Sequence, residues 1–234
     1  MDKQIFGIGG DFFPPQWKRP LLREHLLTLS DKSRPKVCYV GSATGDNAQN
    51  IATFYQEFGR HNTETSHLSL YSPPQKDIRS YVMKHDIIYV GGGSTKNLMA
   101  LWNEWGFGEI MREAWEAGII LSGTSAGSIC WFDDCITDSI PGGLTALKCT
   151  GLLKGSNSTH YSGHPERPST YRRLIASGEV SDGIATDDNC AIHYIGDELH
   201  EIVTQDPACR AYRVERDGDG YKETPLDARY LGGD

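Results

Sequence analysis

The chain has 234 residues, enough to bury a sizeable α/β core without metal or disulfide staples. Its formal net charge of -8, from 23 Lys and Arg against 31 Asp and Glu, leaves no basic field to hold phosphate backbones or an anionic membrane surface. That argues against nucleic-acid and membrane partners. The 6 cysteines (Cys38, Cys130, Cys135, Cys149, Cys190 and Cys209) form no C-x-x-C pair for zinc or redox chemistry and read as small buried hydrophobes in a reducing compartment.

Gln4 to Ile8 reads as a first strand closed by Gly9-Gly10. The apolar run from Met1 to Gly10 is too short for a signal-peptide core, so a cytoplasmic location is expected, and nowhere do apolar residues approach the roughly 18 that a membrane helix needs. Pro14-Pro15 forces an extended connection before Leu21, Leu22, Leu26 and Leu29 give a helical stripe. Lys36 to Val40 is the second strand. Asp46 or Asn47 can cap the helix that follows, in which Ile51, Phe54, Tyr55 and Phe58 fall at i, i+3, i+4 and i+7, and Gly59 can end it. Thr65 to Leu70 alternates weakly as a third strand, Ser72-Pro73-Pro74 makes a turn, and Ile78, Tyr81 and Val82 mark a short helix before the strand Asp86 to Val90. Gly91-Gly92-Gly93 follows at once. Leu98, Met99, Leu101 and Trp102, then Ile110, Met111, Ala114 and Trp115, form two apolar helical faces ahead of the strand Ile119 to Leu121.

Strands alternating with helices predict a three-layer αβα fold, a mainly parallel sheet whose ligands collect at the strand carboxyl ends, in one domain spanning residues 1–234. From Asp133 onward short β-like runs take over, at Thr145 to Leu153, Ile184 to Thr186, Ala191 to Ile195, His200 to Thr204 and Ala211 to Arg216. Antiparallel strands are expected there. Asp217-Gly218-Asp219-Gly220 signals a hairpin turn, and the last dozen residues are polar enough to fray.

The chemistry centres on Gly123-Thr124-Ser125-Ala126-Gly127, a strand-to-helix elbow of the G-x-S-x-G kind that would expose the Ser125 hydroxyl. A serine is a weak nucleophile, so a base and oxyanion donors must be found. Of the 8 histidines, His160 stands out because it follows the polar run Gly155-Ser156-Asn157-Ser158-Thr159, read as a flexible loop, and His164 is its rival by spacing. The orienting carboxylate is sought between serine and histidine, where Asp133, Asp134 and Asp138 are available and position slightly favours Asp138. Oxyanion donors are expected from the Ala126 N–H and from Gly92 or Gly93, since glycines let amides turn toward a ligand. Neither glycine run fits a P-loop or a G-x-G-x-x-G fingerprint, so no nucleotide cofactor is expected, and no metal is needed.

Taken together, Gly91-Gly92-Gly93-Ser94-Thr95 after a strand, the elbow at Ser125, Thr137-Asp138 beyond it, and His160-Tyr161 followed by Arg172-Arg173-Leu174 resemble the dipeptidase E and cyanophycinase family of serine peptidases. The resemblance runs from the first strand to the hairpin near Gly220. It implies a class I glutamine amidotransferase-like fold with a flavodoxin-like core, Ser125 as nucleophile, His160 as general base, Asp138 as the acidic member, and a small, short or acidic peptide as substrate of a monomer or homodimer. Ser94-Thr95-Lys96 replaces the Asn-Thr-Phe of dipeptidase E, which leaves Ser94 and Thr95 as candidate substrate contacts but puts aspartyl-first dipeptides in question. Arg173, with Arg167 and Arg172, could grip a substrate carboxylate. An esterase or amidase on the same machinery and a catalytically silent binding module are the alternatives, although His160 lies only 35 residues after Ser125, too few for the β-α units of an α/β-hydrolase.

Overall fold

The computed structural model describes residues 2–10, 20–73 and 76–233. The Pro14-Pro15 connection, and Pro74 of the Ser72-Pro73-Pro74 turn, lie outside the described residues. The first half of the chain runs β1 (Gln4–Ile8), α1 (Leu21–Thr28), β2 (Lys36–Val40), α2 (Ala48–Phe58), β3 (Glu64–Leu68), α3 (Ile78–Val82), β4 (Ile87–Val90), α4 (Thr95–Trp105), α5 (Phe107–Glu116), β5 (Ile120–Thr124) and α6 (Ala126–Ile129). The second half runs β6 (Phe132–Thr137), β7 (Thr145–Lys148), β8 (Leu153–Ser158), α7 (Arg167–Ser177), β9 (Gly183–Thr186), β10 (Cys190–Ile195), β11 (Glu198–Thr204), β12 (Ala211–Asp217), β13 (Gly220–Leu226) and β14 (Arg229–Tyr230).

Among the described residues these strands make two sheets. The first has eight strands in the order β14-β11-β10-β1-β5-β4-β2-β3. Its β1, β5, β4, β2 and β3 are mutually parallel, as β-α alternation requires, and β10 and β11 extend the β1 side antiparallel. Helices cover both faces. On one side Leu22 and Leu26 of α1 and Phe54 and Phe58 of α2 pack on Phe6, Val37, Tyr39 and Tyr89; on the other, Leu98, Met99 and Trp102 of α4 and Met111 and Trp115 of α5 pack on Cys38, Val40, Ile88 and Leu121. Full burial of each such side chain contributes about 1.5–3 kcal/mol. Asn47 caps α2 by accepting from the N–H groups of Gln49 and Asn50, which decides between the two caps expected from the sequence.

The second half departs from the expected single sheet. β6 to β9, β12 and β13 form a separate six-stranded sheet in the order β13-β12-β9-β8-β6-β7, covered by α7 through Tyr171, Leu174 and Ile175. The run from Gly155 to Thr159, expected as a flexible loop, is mostly strand β8 and is buried: Ser156, Asn157 and Ser158 are fully enclosed. Hydrogen bonds make that burial tolerable. Ser156 Oγ donates to Ser181 O (2.5 Å) and meets Tyr171 Oη (2.7 Å), while Asn157 Nδ2 donates to Ile184 O (2.8 Å). Between residues 223 and 230 the tail does not fray as its polarity suggests, because β13 pairs along β12 and β14 adds to β11.

Candidate active site

β5 ends between β1 and β4, so Ser125 emerges at the carboxyl edge of the sheet with Gly9-Gly10 on one side and Gly91-Gly92-Gly93 on the other. The turn is tight enough to need its glycines. A Cβ on Gly123 would stand 2.3 Å from Gly127 O, and one on Gly127 would stand 2.1 Å from Val90 O. Ser125 itself takes φ 53°, ψ -114°, a conformation that costs on the order of 1–3 kcal/mol and is held by its N–H donating to Ile8 O at 3.0 Å. The elbow is therefore a strained nucleophile-type turn, as its sequence predicted.

His160 follows the end of β8, and β8 pairs parallel with β9, so the residues after both strands leave the sheet at the same edge. Asp188 lies just beyond β9. The three side chains form one line: His160 Nε2 is 2.8 Å from Ser125 Oγ and His160 Nδ1 is 2.5 Å from Asp188 Oδ1. With the Nδ1 proton donated to the carboxylate, Nε2 is left to accept the serine proton. His160 thus lies within hydrogen-bond reach of Ser125, and the rival His164 makes no such contact with it; the His164 backbone N–H donates to His160 O.

The expected acid is corrected. Asp138 is more than half exposed and pairs with Arg167 (Nη2 to Oδ2, 3.2 Å), not with His160. Asp133 pairs with Lys154, and Asp134 takes Lys148 and Ser181. The carboxylate that meets His160 comes after it in the chain, giving the order Ser, His, Asp. A sequence signal existed in Asp187-Asp188, two carboxylates directly after a strand-like run, but as part of Thr186-Asp187-Asp188-Asn189 it also reads as an ordinary turn. Asp187 builds the site differently: its buried carboxylate accepts from the Ser162 N–H (2.9 Å) and the Arg210 N–H (3.1 Å), tying down the loop after His160.

Further supports converge on the histidine. His160 has φ 54°, and its N–H donates to Gly9 O at 3.2 Å. A Cβ on Gly10 would lie 2.0 Å from Asp188 Oδ1 and 2.3 Å from His160 Cε1, so only glycine fits there. Tyr161, buried beside it, donates its hydroxyl to Glu223 (2.5 Å), which Arg172 holds through Nε (2.8 Å) and Nη2 (2.6 Å).

Of the expected oxyanion donors, Ala126 is the first residue of α6, so its N–H has no use within the helix. Gly92 lies against the nucleophile, where an added Cβ would be 3.2 Å from Ser125 Cβ. Gly93 has φ 136° and could not carry a side chain without striking Ala43 O at 2.6 Å. The expected substrate contacts fare less well. Ser94 caps α4 by accepting from the Asn97 N–H, and Thr95 is buried in a hydrogen-bonded group with Thr137 and Ser139. Arg173 is exposed on α7 and pairs loosely with Glu179 at 3.7 Å. Among the described residues no group of three or more His, Cys, Asp or Glu could hold a metal ion, and no helix is long and apolar enough to cross a membrane.

Comparison with known proteins points to one peptidase family. The family model described as peptidase family S51 matches residues 9–202. A Bacillus subtilis (strain 168) protein named uncharacterized peptidase YgaJ is 42% identical over 230 residues, covering 98% of this chain and 100% of that protein. Two crystal structures share the fold at low identity. One, from Listeria monocytogenes EGD-e and named for peptidase E, has a TM-score of 0.65 at 18% identity, covering 87% of this chain and 99% of its own. The other, a peptidase from an acI-B1 Actinobacterium, has a TM-score of 0.69 at 17% identity, covering 97% and 95%.

Proposed function

The chain belongs to peptidase family S51 and is a serine-type peptidase, and we propose that it hydrolyses short peptides at Ser125, with His160 as general base and Asp188 as its orienting carboxylate. The observation that carries this reading is the unbroken line from Ser125 Oγ through both His160 nitrogens to Asp188. In it Ser125 Oγ attacks the peptide carbonyl as its proton passes to His160 Nε2; the imidazolium, stabilised by Asp188, then gives that proton to the leaving amine. Water repeats the sequence on the acyl-enzyme. The oxyanion is held by the Ala126 N–H and by the amide of Gly92 or Gly93, each donor contributing about 2.7–4 kcal/mol to the transition state.

An acidic group on the substrate finds its support in Arg167. Unlike Arg172 and Arg173, it is 4% exposed and has Nε and Nη1 without a hydrogen-bond partner among the described residues, while Nη2 donates to Asp138. Burial lowers its pKa against the pull of Asp138 and Asp188, but a guanidinium remains charged at neutral pH. Its charge on the His160–Asp188 flank, where the leaving amine departs, suits the free carboxylate of a dipeptide or tripeptide.

Fluorophosphonate labelling followed by peptide mapping tests the nucleophile: the adduct is expected on Ser125, and Ser125→Ala should lose turnover by a factor on the order of 10⁶. Undiminished hydrolysis by Ser125→Ala would overturn the reading. Arg167→Met should raise KM for free dipeptides much more than for their C-terminal amides.

A further inference from the structure

Beside the elbow, on the side away from His160, lies a cavity of about 140 Å³ lined by Tyr39, Asn50, Thr53, Tyr89, Gly91, Gly92 and Thr124. We propose that this cavity is the subsite for the side chain of the residue whose carbonyl is attacked, and that it selects an uncharged side chain no larger than a phenyl ring over aspartate or glutamate. The proposal rests on the serine-peptidase reading of Ser125 and adds to it the chemistry of the acyl residue.

Placement is the first argument. Gly92 and Thr124 line the cavity and also touch the nucleophile: Thr124 precedes Ser125, and Gly92 packs so closely that an added Cβ would be 3.2 Å from Ser125 Cβ. The amide that can hold the oxyanion therefore borders the cavity, while the base and the leaving-group path lie across Ser125. A side chain branching from the acyl carbon's neighbour has this recess next to it.

Charge is the second argument. No lysine, arginine or histidine is among the described residues that line the cavity. Its inner wall is two buried phenols, Tyr39 and Tyr89, with ring centroids 6.2 Å apart. Burial pushes the Tyr39 hydroxyl up to about 12 and raises that of Tyr89 also, so both are neutral donors and acceptors at pH 7. Asp46 stands behind Tyr39 and adds negative potential at that wall. Arg23 acts on Tyr89 from the far side, but Glu57 engages it at 2.8 Å. A carboxylate entering here would lose water without gaining a cation, whereas an aliphatic or aromatic group would bury its surface against the rings.

Size is the third. A protein cavity of about 150 Å³ accepts benzene, so this recess matches leucine, methionine or phenylalanine in size. The polar groups inside are neutral: Thr124 Oγ1 is buried without a hydrogen-bond partner, and Asn50 Nδ2 donates to Thr44 Oγ1 (3.2 Å).

The test compares labelling rates of Ser125 by diphenyl α-aminoalkylphosphonates whose side chains copy leucine, glycine and aspartate, with a simple fluorophosphonate run in parallel on the wild-type protein. The leucine analogue should react at least about tenfold faster than the aspartate one, in line with the 10–200-fold that side-chain pockets discriminate. Thr53→Trp, folded by the criterion of an unchanged melting curve, should bring leucine down to the rate of glycine, and Thr53→Arg should move the leucine to aspartate ratio about tenfold toward aspartate. Equal or faster reaction of the aspartate analogue, or ratios that neither variant moves, would overturn the subsite while Ser125 still labels with the fluorophosphonate. Failure of the fluorophosphonate itself would overturn the nucleophile, and the subsite with it.

Discussion

Ser125 follows a strand flanked by Ile5, Ile8, Ile88 and Val90, whereas His160 follows a strand whose last three residues, Ser156, Asn157 and Ser158, are polar and buried. Apolar packing covers both faces of the first sheet, whereas in the second the apolar cover of α7 is joined by side-chain hydrogen bonds from Ser156 to Ser181 O and from Asn157 to Ile184 O. Both strands are parallel to a neighbour and release their functional residue at the carboxyl edge. Parallel pairing, rather than composition, is what makes such an edge a site: it puts the ends of adjacent strands side by side, as it does for His160 after β8 and Asp188 after β9.

The comparison is sharpened most by the carboxylates. Asp188→Asn should lower kcat by about 10⁴, because an amide favours the wrong imidazole tautomer and leaves the imidazolium unstabilised. Asp138→Asn should stay within about tenfold of the wild type, since Asp138 touches Arg167 and not His160. Steady-state kinetics on a common dipeptide decides it; a larger loss in Asp138→Asn than in Asp188→Asn would return the acid to the segment between serine and histidine.

A smaller effect is expected where the two sheets meet. Gly10 leaves β1 and faces the pair held by β8 and β9, and its missing Cβ is the space that Asp188 and His160 occupy. Gly10→Ala should therefore displace the imidazole and cost about 10² in kcat, the scale of a 1 Å misplacement. Because fluorophosphonates also need His160, labelling of Ser125 should slow in parallel; an unchanged rate would mean that the two sheets adjust independently.

The same contrast explains what could be read from the sequence. Phe54 and Phe58 at helical spacing and the apolar strands Val37 to Val40 and Ile87 to Val90 announce themselves, because burial of hydrocarbon leaves a period in the sequence. The elbow is legible for another reason: Gly123 and Gly127 are required by contacts under 3 Å. β8 is not legible, since the Ser156 hydroxyl and the Asn157 Nδ2 find their partners on Ser181, Tyr171 and Ile184, far away in the chain, and polarity alone reads as a loop. His160 is legible through its neighbours in sequence and the resemblance to a family, although the segment before it reads as a loop and forms a strand. Asp188 is not legible, because order along the chain carries no information about which strands lie side by side. A polar residue near a motif can as readily serve the fold, as Thr95 does with Thr137 and Ser139.

The smallest expected effect is on stability, and it falls in a different pH window for each sheet. On β10, His193 is 3% exposed, and burial pushes its pKa from 6.5 down to about 4 against the pull of Glu201. The unfolded chain then binds a proton at this residue near 6.5 while the folded chain does not until about 4, so the stability it supports is full above 6.5 and falls as pH drops through that interval. His25, also lowered by burial and bonded to Glu201 at 3.1 Å, adds to the same window. On β13, burial would raise the Glu223 carboxyl, but the hydrogen bonds from Arg172 and Tyr161 outweigh it and hold the pKa below 4.5. Its contribution is full above 4.5 and is lost only as pH falls below that value. Melting temperatures measured from about pH 7 to about pH 3 should thus show His193→Gln flattening the upper part of the curve and Glu223→Gln the lower part. If both variants flatten the same interval, the two sheets do not carry separate acid sensitivities, and the division of labour drawn between them fails at the level of stability.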